Sequence, residues 1–277
     1  MRAAFPDISE RQTCRVLKVA RAALHRQTIM KPASPKLAEG LVRKLYGLIQ
    51  QYPTYGYRRR WALLRYREGL VVNRKAVYRA LRLKRWLGHH RTRTPRPRAP
   101  RLRSRAAQSN QRWAMDVPHI PCGPDGWGHL TAVMDYHDRE IVGYEFALRG
   151  RAKEAERALE AACLARFGTL RPTEAAPILW SDNGLMFQSR RFRQACGDYR
   201  LQQEFITPYT PDQNGLIERF FRSLKEEWVW PYHFAGFEDA RRVVSTWMQW
   251  YNEDRLHQAL QYKSPRRYRR EQTAKVA

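Results

Sequence analysis

Positive charge is concentrated in the first 110 residues of the 277-residue chain. Residues 1–110 contain 28 lysines and arginines against four acidic residues, whereas residues 111–277 contain 24 against 22. So large an excess of positive charge indicates a polyanionic partner, and nucleic acid is the first candidate. We therefore expect two parts with different tasks, a basic part that binds phosphate and a nearly neutral part rich in carboxylates.

Hydrophobic spacing in the basic part predicts four helices. Ser9 and Gln12 have the spacing of a capping box at the start of the first helix, and leucines recur at helical intervals in the second. The third and fourth helices are separated by Gly69 and by Asn73, a residue type that often caps a helix. The predicted helices span residues 10–25, 36–51, 56–68 and 74–85.

The third and fourth predicted helices have the pattern of a helix-turn-helix. Val77 and Leu81 lie on one face of the fourth helix and would pack inward. Basic residues on its other faces would then contact the major groove of DNA, as the second helix of this motif does. A solvated basic helical bundle would give the same pattern and stays open as the alternative. The predicted DNA-binding residues are Arg74, Lys75, Arg79 and Arg82.

Residues 89–110 have the composition of a linker. They contain seven arginines and three prolines and hardly any large apolar side chain. Such a segment buries too little apolar surface to offset the entropy lost on ordering it. We therefore predict a helical DNA-binding region in residues 1–88, a basic linker in residues 89–110 and an α/β domain in residues 111–277.

Strand patterns open the second part of the chain. Three segments rich in β-branched and aromatic residues predict an antiparallel meander, with His137-Asp138-Arg139 as one of its turns. The pattern then alternates between helices and strands, which predicts a mixed sheet covered by helices. The predicted strands are 112–120, 129–136, 140–148, 177–181 and 201–206, and the predicted helices are 152–167, 190–197, 215–228 and 237–251.

Neither a disulfide framework nor a zinc site is indicated. The four cysteines are scattered, without a Cys-x-x-Cys pair or a Cys/His cluster at zinc-ligand spacing. No run of about 18 apolar residues occurs. These features predict a soluble cytoplasmic protein with reduced thiols, which its DNA partner would bring to the bacterial nucleoid.

Three acidic residues occupy positions where the order of elements could bring them together. Asp116 lies inside the first predicted strand, Asp182 follows the strand that ends at Ser181, and Glu218 opens a helix. Carboxylate oxygens are ligands that magnesium prefers, and ligand sites of α/β sheets gather at the carboxyl ends of strands. Each acid alone also fits a structural role, as a strand residue, a turn residue or a first-turn helix residue.

Basic residues follow Glu218 on the same predicted helix. Lys225 comes seven residues later, two turns along nearly the same stripe, with Arg222 between them. We predict that Arg222 and Lys225 contact DNA beside the three acids. A surface ladder of ion pairs is the alternative.

Together these residues resemble a known signature. Asp116, Asp182 and Glu218, with 35 residues between the last two and a basic residue seven positions later, are similar to the triad of the DDE transposases and retroviral integrases. More narrowly, the chain resembles the OrfB-type transposases of the insertion-sequence-three family along nearly its whole length. The segments that carry this resemblance are YPTYGYRRRWALL, VNRKAVYRALR, WAMDV, SDNGLMFQS, PDQNGLIERFFRSLKEE and WYNEDRLHQALQYKSP.

The resemblance implies an integrase catalytic core with a ribonuclease-H-like fold, a mixed five-stranded sheet with flanking helices. It implies that Asp116, Asp182 and Glu218 are catalytic and bind two Mg²⁺ ions, for which Mn²⁺ can substitute. It further implies cleavage and strand transfer at the terminal inverted repeats of an insertion sequence, by a homo-oligomer on double-stranded DNA. Such elements often encode an upstream reading frame, whose product is a further candidate partner.

Two segments leave questions open. Pro118-His119 replaces the threonine and aromatic residue that are more frequent in the family, so the end of the first strand is uncertain. For the motif from Trp250 to His257 we expect only that Trp250 packs on the core and that Arg255 faces DNA. Two rival functions also remain, a non-catalytic helix-turn-helix regulator and a nuclease of the same fold that hydrolyses DNA without joining it.

Overall fold

A computed structural model of the chain describes residues 9–24, 37–88, 106–172, 176–207 and 213–276. Two compact units make up the chain, Met1–Val42 and Arg43–Ala277. Residues 89–105 of the predicted linker, and the loop residues 208–212 before Glu218, lie outside the described residues.

The first unit contains two short helices, α1 (Glu10–Val16) and α2 (Arg21–Leu24). The predicted capping box is confirmed, because the Gln12 amide donates to Ser9 Oγ at 3.3 Å and the Ser9 amide donates to Gln12 Oε1 at 3.1 Å. The prediction of one helix over residues 10–25 is wrong. Lys18 adopts a left-handed backbone conformation with a φ of 53°, which ends the first helix.

Helix α3 (Glu39–Gln51) begins four residues before the larger unit and continues into it, and α4 (Tyr57–Tyr66) and α5 (Arg74–Leu83) follow. Asn73 caps α5 as predicted, since its side chain accepts a hydrogen bond from the Lys75 amide at 2.8 Å. Val77, Ala80 and Leu81 form the buried face of α5, which packs against α4. The predicted pair of helices is therefore present, with an apolar face turned inward.

A mixed sheet forms the centre of the larger unit. Strand β3 pairs antiparallel with β1, β2 and β4, and β5 pairs parallel with β1 and with β6. The antiparallel meander is thus confirmed. The strands are β1 (Arg112–Asp116), β2 (His119–Pro121), β3 (Trp127–Asp135), β4 (Ile141–Ala147), β5 (Ile178–Ser181) and β6 (Gln202–Phe205).

The first predicted strand, 112–120, is two strands in the structure. Pro118 lies between β1 and β2 and has no amide hydrogen to donate to a neighbouring strand; its carbonyl accepts from the Leu130 amide at 3.1 Å. Within the described residues the sheet consequently has six strands and not the five that the resemblance implied.

Helices cover both faces of the sheet, and β1 shows why. Trp113 and Met115 belong to a buried cluster with α6, whereas Ala114 belongs to a second cluster with α9 and α10, because successive strand residues point to opposite faces. The helices of this part are α6 (Ala152–Phe167), α7 (Leu185–Gln188), α8 (Arg190–Asp198), α9 (Gly215–Leu224), α10 (Phe237–Glu253) and α11 (Pro265–Val276).

The predicted helix 215–228 is α-helical only as far as Leu224. A π-helical turn over Lys225–Val229 follows α9. The short α7 and the C-terminal α11 were not predicted. Within the described ranges no helix is both long and apolar enough to cross a membrane.

Close packing of β4 on α6 requires glycine at position 143. A Cβ atom there would lie 2.4 Å from the Ala158 carbonyl oxygen and 2.5 Å from the Ala162 amide nitrogen, both backbone atoms of α6. We expect Gly143→Ala to lower the free energy of unfolding by about 3 kcal/mol, because sheet and helix must separate. Urea denaturation of the purified chain measures this loss.

Gly197→Ala is the matched control, since a Cβ at Gly197 on α8 meets no described atom within 4 Å. Alanine there should leave stability unchanged or raise it by up to about 1 kcal/mol, because alanine favours helices. Equal losses in the two variants would contradict the packing argument.

Candidate active site

Asp116 and Asp182 lie side by side at the carboxyl ends of two adjacent strands. Strands β1 and β5 are parallel, with Ala114 opposite Trp180. That register, continued by two residues, sets Asp182 beside Asp116. Adjacent strands are about 4.8 Å apart, so the sheet places these two carboxylates next to each other at the carboxyl ends of β1 and β5.

Local backbone contacts orient both aspartates. Asp116 is partly buried, and its Oδ1 accepts from the Val117 amide at 2.8 Å. Asp182 is exposed in the turn after β5, and its Oδ1 accepts from the Gly184 amide at 2.9 Å. In each residue the amide engages Oδ1, so Oδ2 is the oxygen available to a cation.

Glu218 lies on the first turn of α9. The apolar side of this helix, including Ile217, Phe220 and Leu224, is buried against the sheet, while Glu218 is exposed. The start of the helix is fixed by Gln213, whose carbonyl accepts from the Tyr136 hydroxyl. The glutamate is therefore carried on a helix that packing holds in place.

Electrostatics link the three acids. Burial raises the pKa of Asp116 to about 6, and the negative charges of Asp182 and Glu218 raise it too, whereas the Val117 amide and the Lys225 ammonium lower it. Influence of this kind indicates that the three carboxyl groups lie in the same region of the structure. The structure thus brings the three predicted acids into one region, with Lys225 beside them.

The donor chemistry of this region fits a hard divalent cation, because all three side chains offer carboxylate oxygens. However, no three acidic, histidine or cysteine side chains among the described residues are already arranged to hold a metal ion. The acids would have to move closer to chelate one. The loop before α9 contains residues 208–212, whose structure is not described.

Arg222 and Lys225 differ in their surroundings. Lys225 is partly buried and acts electrostatically on Asp116. Arg222 is exposed and forms an ion pair with Glu226 one turn later, with 2.7 Å between Nε and Oε1. Arg222 therefore matches the ion-pair alternative, and Lys225 is the more direct neighbour of the acids.

The predicted DNA-binding residues of α5 form an exposed basic surface. Arg74, Lys75, Arg79 and Arg82 are all exposed, because the helix turns its apolar residues toward α4. The Arg74 guanidinium also lies 6.0 Å from the centre of the Trp61 ring on α4.

Sequence reasoning missed Tyr136, which connects the sheet to α9. Tyr136 is buried directly after β3, and burial raises its pKa above the usual range, as do the charges of Glu218 and Asp116. Its partner Gln213 also accepts from the Thr207 amide at 2.9 Å through its side chain. Residues 207 and 213, on either side of the loop, are thus joined. A tyrosine at the end of an apolar strand was the available signal, since a buried phenol needs a partner.

The motif near the C-terminus is only partly as expected. Trp250 packs near the Tyr52 and Tyr55 rings, with centroids 6.4 Å away in both cases. Arg255 was expected to face DNA, but it is not a free cation on the surface. Its guanidinium is buried and binds Glu227, with Nη2 to Oε1 at 2.6 Å and Nε to Oε2 at 3.0 Å; burial of a charge requires such pairing.

Comparisons with known proteins agree with this architecture. Two models of the integrase core domain match residues 106–211 and 199–265, and a model of an HTH-like domain matches residues 36–94. The chain is 28% identical over 274 residues to the transposase InsD for insertion element IS2A/D/F/H/I/K of Escherichia coli, covering 93% of this chain and 89% of that protein. The InsD transposase of IS2 on the F plasmid of strain K12 matches equally.

A solved structure shows the same fold. A chain of the simian T-cell lymphotropic virus intasome in complex with PP2A regulatory subunit B56 gamma matches with a TM-score of 0.51 at 20% identity. The match covers 81% of this chain and 74% of the viral-complex chain. The α/β, ribonuclease-H-like fold predicted from the sequence is confirmed.

Proposed function

This chain is a transposase with an integrase core domain, and from that premise we propose that it cleaves and joins DNA at the terminal inverted repeats of an insertion sequence. Asp116, Asp182 and Glu218 are its catalytic residues in this proposal, and they bind two Mg²⁺ ions, for which Mn²⁺ can substitute. The observation that supports the proposal best is the parallel register of β1 and β5, which sets Asp182 beside Asp116; the charges of Asp182 and Glu218 also act on the pKa of Asp116.

The reaction exchanges one phosphodiester bond for another. In cleavage, water attacks the phosphorus and the 3′-oxygen leaves as a hydroxyl; in joining, that hydroxyl attacks a target phosphodiester and a target 3′-oxygen leaves. Bound magnesium would activate the attacking oxygen and stabilise the leaving oxygen. The carboxylates serve as ligands, so no covalent bond between protein and DNA is needed.

The three acids are the metal ligands in this proposal. Asp116, at the end of the central strand β1, would hold the ions together with Asp182 and Glu218. Because the three carboxyls do not already enclose a cation in the described residues, we expect metal and DNA to draw them together. The Tyr136 contact to Gln213 holds the start of α9 during that movement.

The same proposal gives each part of the chain a separate role. Residues 1–88 bind DNA, with Arg74, Lys75, Arg79 and Arg82 at the major groove. Residues 89–110 form the linker, and residues 111–277 contain the catalytic site. Assembly as a homo-oligomer on the DNA ends, in the bacterial cytoplasm and on the nucleoid, follows from the likeness to insertion-element transposases. The product of an upstream reading frame is a further candidate partner.

The direct test uses the purified full chain, a labelled duplex carrying the terminal repeat that flanks its gene, and target DNA with Mg²⁺. We expect a joined strand-transfer product. Hydrolysis without joining would favour the nuclease of the same fold. Binding without any metal-dependent nicking would favour the non-catalytic regulator, and either result would overturn the proposal.

Lys225 provides a test of DNA contact beside the acids. We expect Lys225→Gln to weaken binding of terminal-repeat DNA and to reduce its dependence on salt by about one unit of slope, the effect of one lost phosphate contact. Binding at several salt concentrations, without divalent metal, measures the slope. Arg242→Gln removes the same charge from an exposed residue already paired with Asp239 at 2.7 Å. Identical slopes for the two variants would make Lys225 an ordinary surface lysine.

A further inference from the structure

A cavity of about 390 Å³ lies on a different face of α9 from Glu218. Its walls come from α4, the turn between β3 and β4, α9, and residues 255–259. Arg219 and Ser223, one turn apart on α9, line it, whereas Glu218, Arg222 and Lys225 follow another stripe of the helix. Four of its lining residues are arginines, namely Arg59, Arg139, Arg219 and Arg255. We call it the cationic cavity.

Negative charge at the cationic cavity is insufficient to balance these arginines. Glu227 binds Arg255 at 2.6 Å and lies 3.5 Å from Arg59. Across the part of the chain that the structure describes, the side chains of Arg139 and Arg219 show no ion pair or hydrogen bond. Two guanidinium groups therefore face the cavity without an acidic partner.

The pKa values of neighbouring groups reflect this excess of positive charge. Burial lowers the pKa of Arg139, and the charge of Arg219 lowers it further. Burial likewise holds the pKa of His257 well below its usual range, and the charges of Arg255, Arg59 and Arg139 add to that effect. Three arginines thus converge on one neutral imidazole, and an anion would relieve their repulsion.

Arg139 occupies the tight turn between β3 and β4, where its amide donates to the Asp135 carbonyl at 2.9 Å. Its φ is 61°, a left-handed conformation that is uncommon for residues other than glycine and asparagine. Such a conformation costs on the order of 1 kcal/mol and persists where the surrounding structure requires it. An arginine at this turn position directs a long cation to the cavity, which glycine would not do.

We propose that the cationic cavity binds a phosphate group of a DNA strand, at a site separate from the three catalytic acids. The guanidinium fork matches phosphate oxygens in a bidentate geometry, and Ser223 and Gln258 offer further donors. The volume lies at the lower end of ligand pockets, about 300–1,000 Å³, and so admits a nucleotide unit. This proposal rests on the proposed function and adds a second place where DNA is held.

The cavity also joins the two parts that the proposed function assigns to DNA. Arg59 comes from α4 of the HTH-like match, and Arg219 comes from the helix that carries Glu218. A strand whose phosphate lies there would contact both parts at once. Binding at this cavity would thereby fix α4 relative to the catalytic acids on the DNA.

The test compares two double variants with the same change of charge. Arg139→Gln/Arg219→Gln removes the two unpaired cations of the cavity. Arg241→Gln/Arg242→Gln removes two exposed arginines of α10 that are paired with Glu238 and Asp239. Binding of a terminal-repeat duplex is measured against salt concentration without divalent metal, so that no chemistry occurs and catalytic failure is a separate result.

We expect the salt dependence to fall by about one unit of slope for the cavity variant, because one phosphate contact is lost, and to stay at the wild-type value for the control. Thermal unfolding with inorganic phosphate or a mononucleotide provides the second measurement. Both ligands should stabilise the wild type and not the cavity variant. Arg219→Gln alone, at an exposed residue, should also lower the slope, by less than one unit, and covers the case in which the double variant does not fold.

Equal slopes for the cavity and control variants would overturn the proposal, whatever the strand-transfer assay gives. Stabilisation by a mononucleotide combined with an unchanged DNA slope would also overturn it, because the cavity would then take a free nucleotide and not a DNA strand.

Discussion

Replacing any one of the three acids with its amide should abolish strand transfer. The variants are Asp116→Asn, Asp182→Asn and Glu218→Gln, each nearly isosteric with the original side chain. We expect a loss of at least about 10³-fold in the joining rate, because a bound metal contributes several kcal/mol of transition-state stabilisation. A single-turnover joining assay with labelled terminal-repeat DNA measures it.

Binding of terminal-repeat DNA should persist in the same variants, since the basic residues of α5 and the cationic cavity are unchanged. Asp198→Asn is the matched control, an exposed carboxylate on α8 whose Oδ1 accepts from the Gln194 side chain at 3.1 Å. It should join DNA at the wild-type rate. Joining by purified Glu218→Gln at more than a tenth of that rate would remove this residue from the catalytic set.

Replacing Arg166 should cause the largest loss of stability. Arg166 is buried on α6, with Nη2 at 2.9 Å from Asp138, 3.3 Å from Glu140 and 3.8 Å from Asp135, all of them buried carboxylates. Arg166→Met would leave Asp135 and Asp138 without their cation, whereas Glu140 keeps its ion pairs with Arg266 and Arg269. Removing one partner from a buried ion pair typically costs about 3–5 kcal/mol, and we expect a loss of that size in urea denaturation at pH 8.

The loss should depend on pH. Burial raises the pKa of Asp138 to about 6, the charge of Asp135 raises it too, and Arg166 lowers it. Without Arg166 this pKa rises further above its unfolded value. The penalty on the folded state is then present above the folded pKa and is lost as the pH falls through it. The difference between wild type and variant should therefore be smaller at pH 5 than at pH 8.

Arg157→Met is the control for Arg166→Met, because Arg157 is an exposed arginine on the same helix, paired with Glu145 at 3.4 Å. Exposed pairs of this kind contribute about 1 kcal/mol or less. If both variants lost the same small amount, the buried carboxylates would not depend on Arg166.

The sequence predicted the main elements because their patterns are local. Alternating apolar residues identified the meander, and Asn73 identified the start of α5. Pro118 left the end of the first strand undetermined, because a proline at the end of an apolar run does not reveal whether the chain continues as a second strand, β2. Helix α11 was also missed. Its sequence lacks the apolar stripe by which an amphipathic helix is recognised, and ion pairs from Arg266 and Arg269 to Glu140 attach it to the sheet domain.

The candidate site was predictable only in part. The three acids were singled out by their positions in the order of elements and joined into one site by the resemblance to a family signature, and the parallel register of β1 and β5 explains why the first two meet. Tyr136 and the cationic cavity were not found, because their residues come from distant segments with no fixed spacing. Arg255 was assigned to DNA on its charge alone, and its buried partner Glu227, 28 residues away, could not be recognised from the sequence.

Binding of Mn²⁺ to the metal-free full chain tests the central claim most directly. The titration is followed by electron paramagnetic resonance at pH 8, where an Asp116 with a pKa of about 6 is ionised. We predict that the wild type and Asp198→Asn bind Mn²⁺ and release it to excess Mg²⁺, while each amide variant of the three acids binds at least about tenfold more weakly. Unchanged Mn²⁺ affinity in Asp116→Asn, Asp182→Asn and Glu218→Gln would contradict the account.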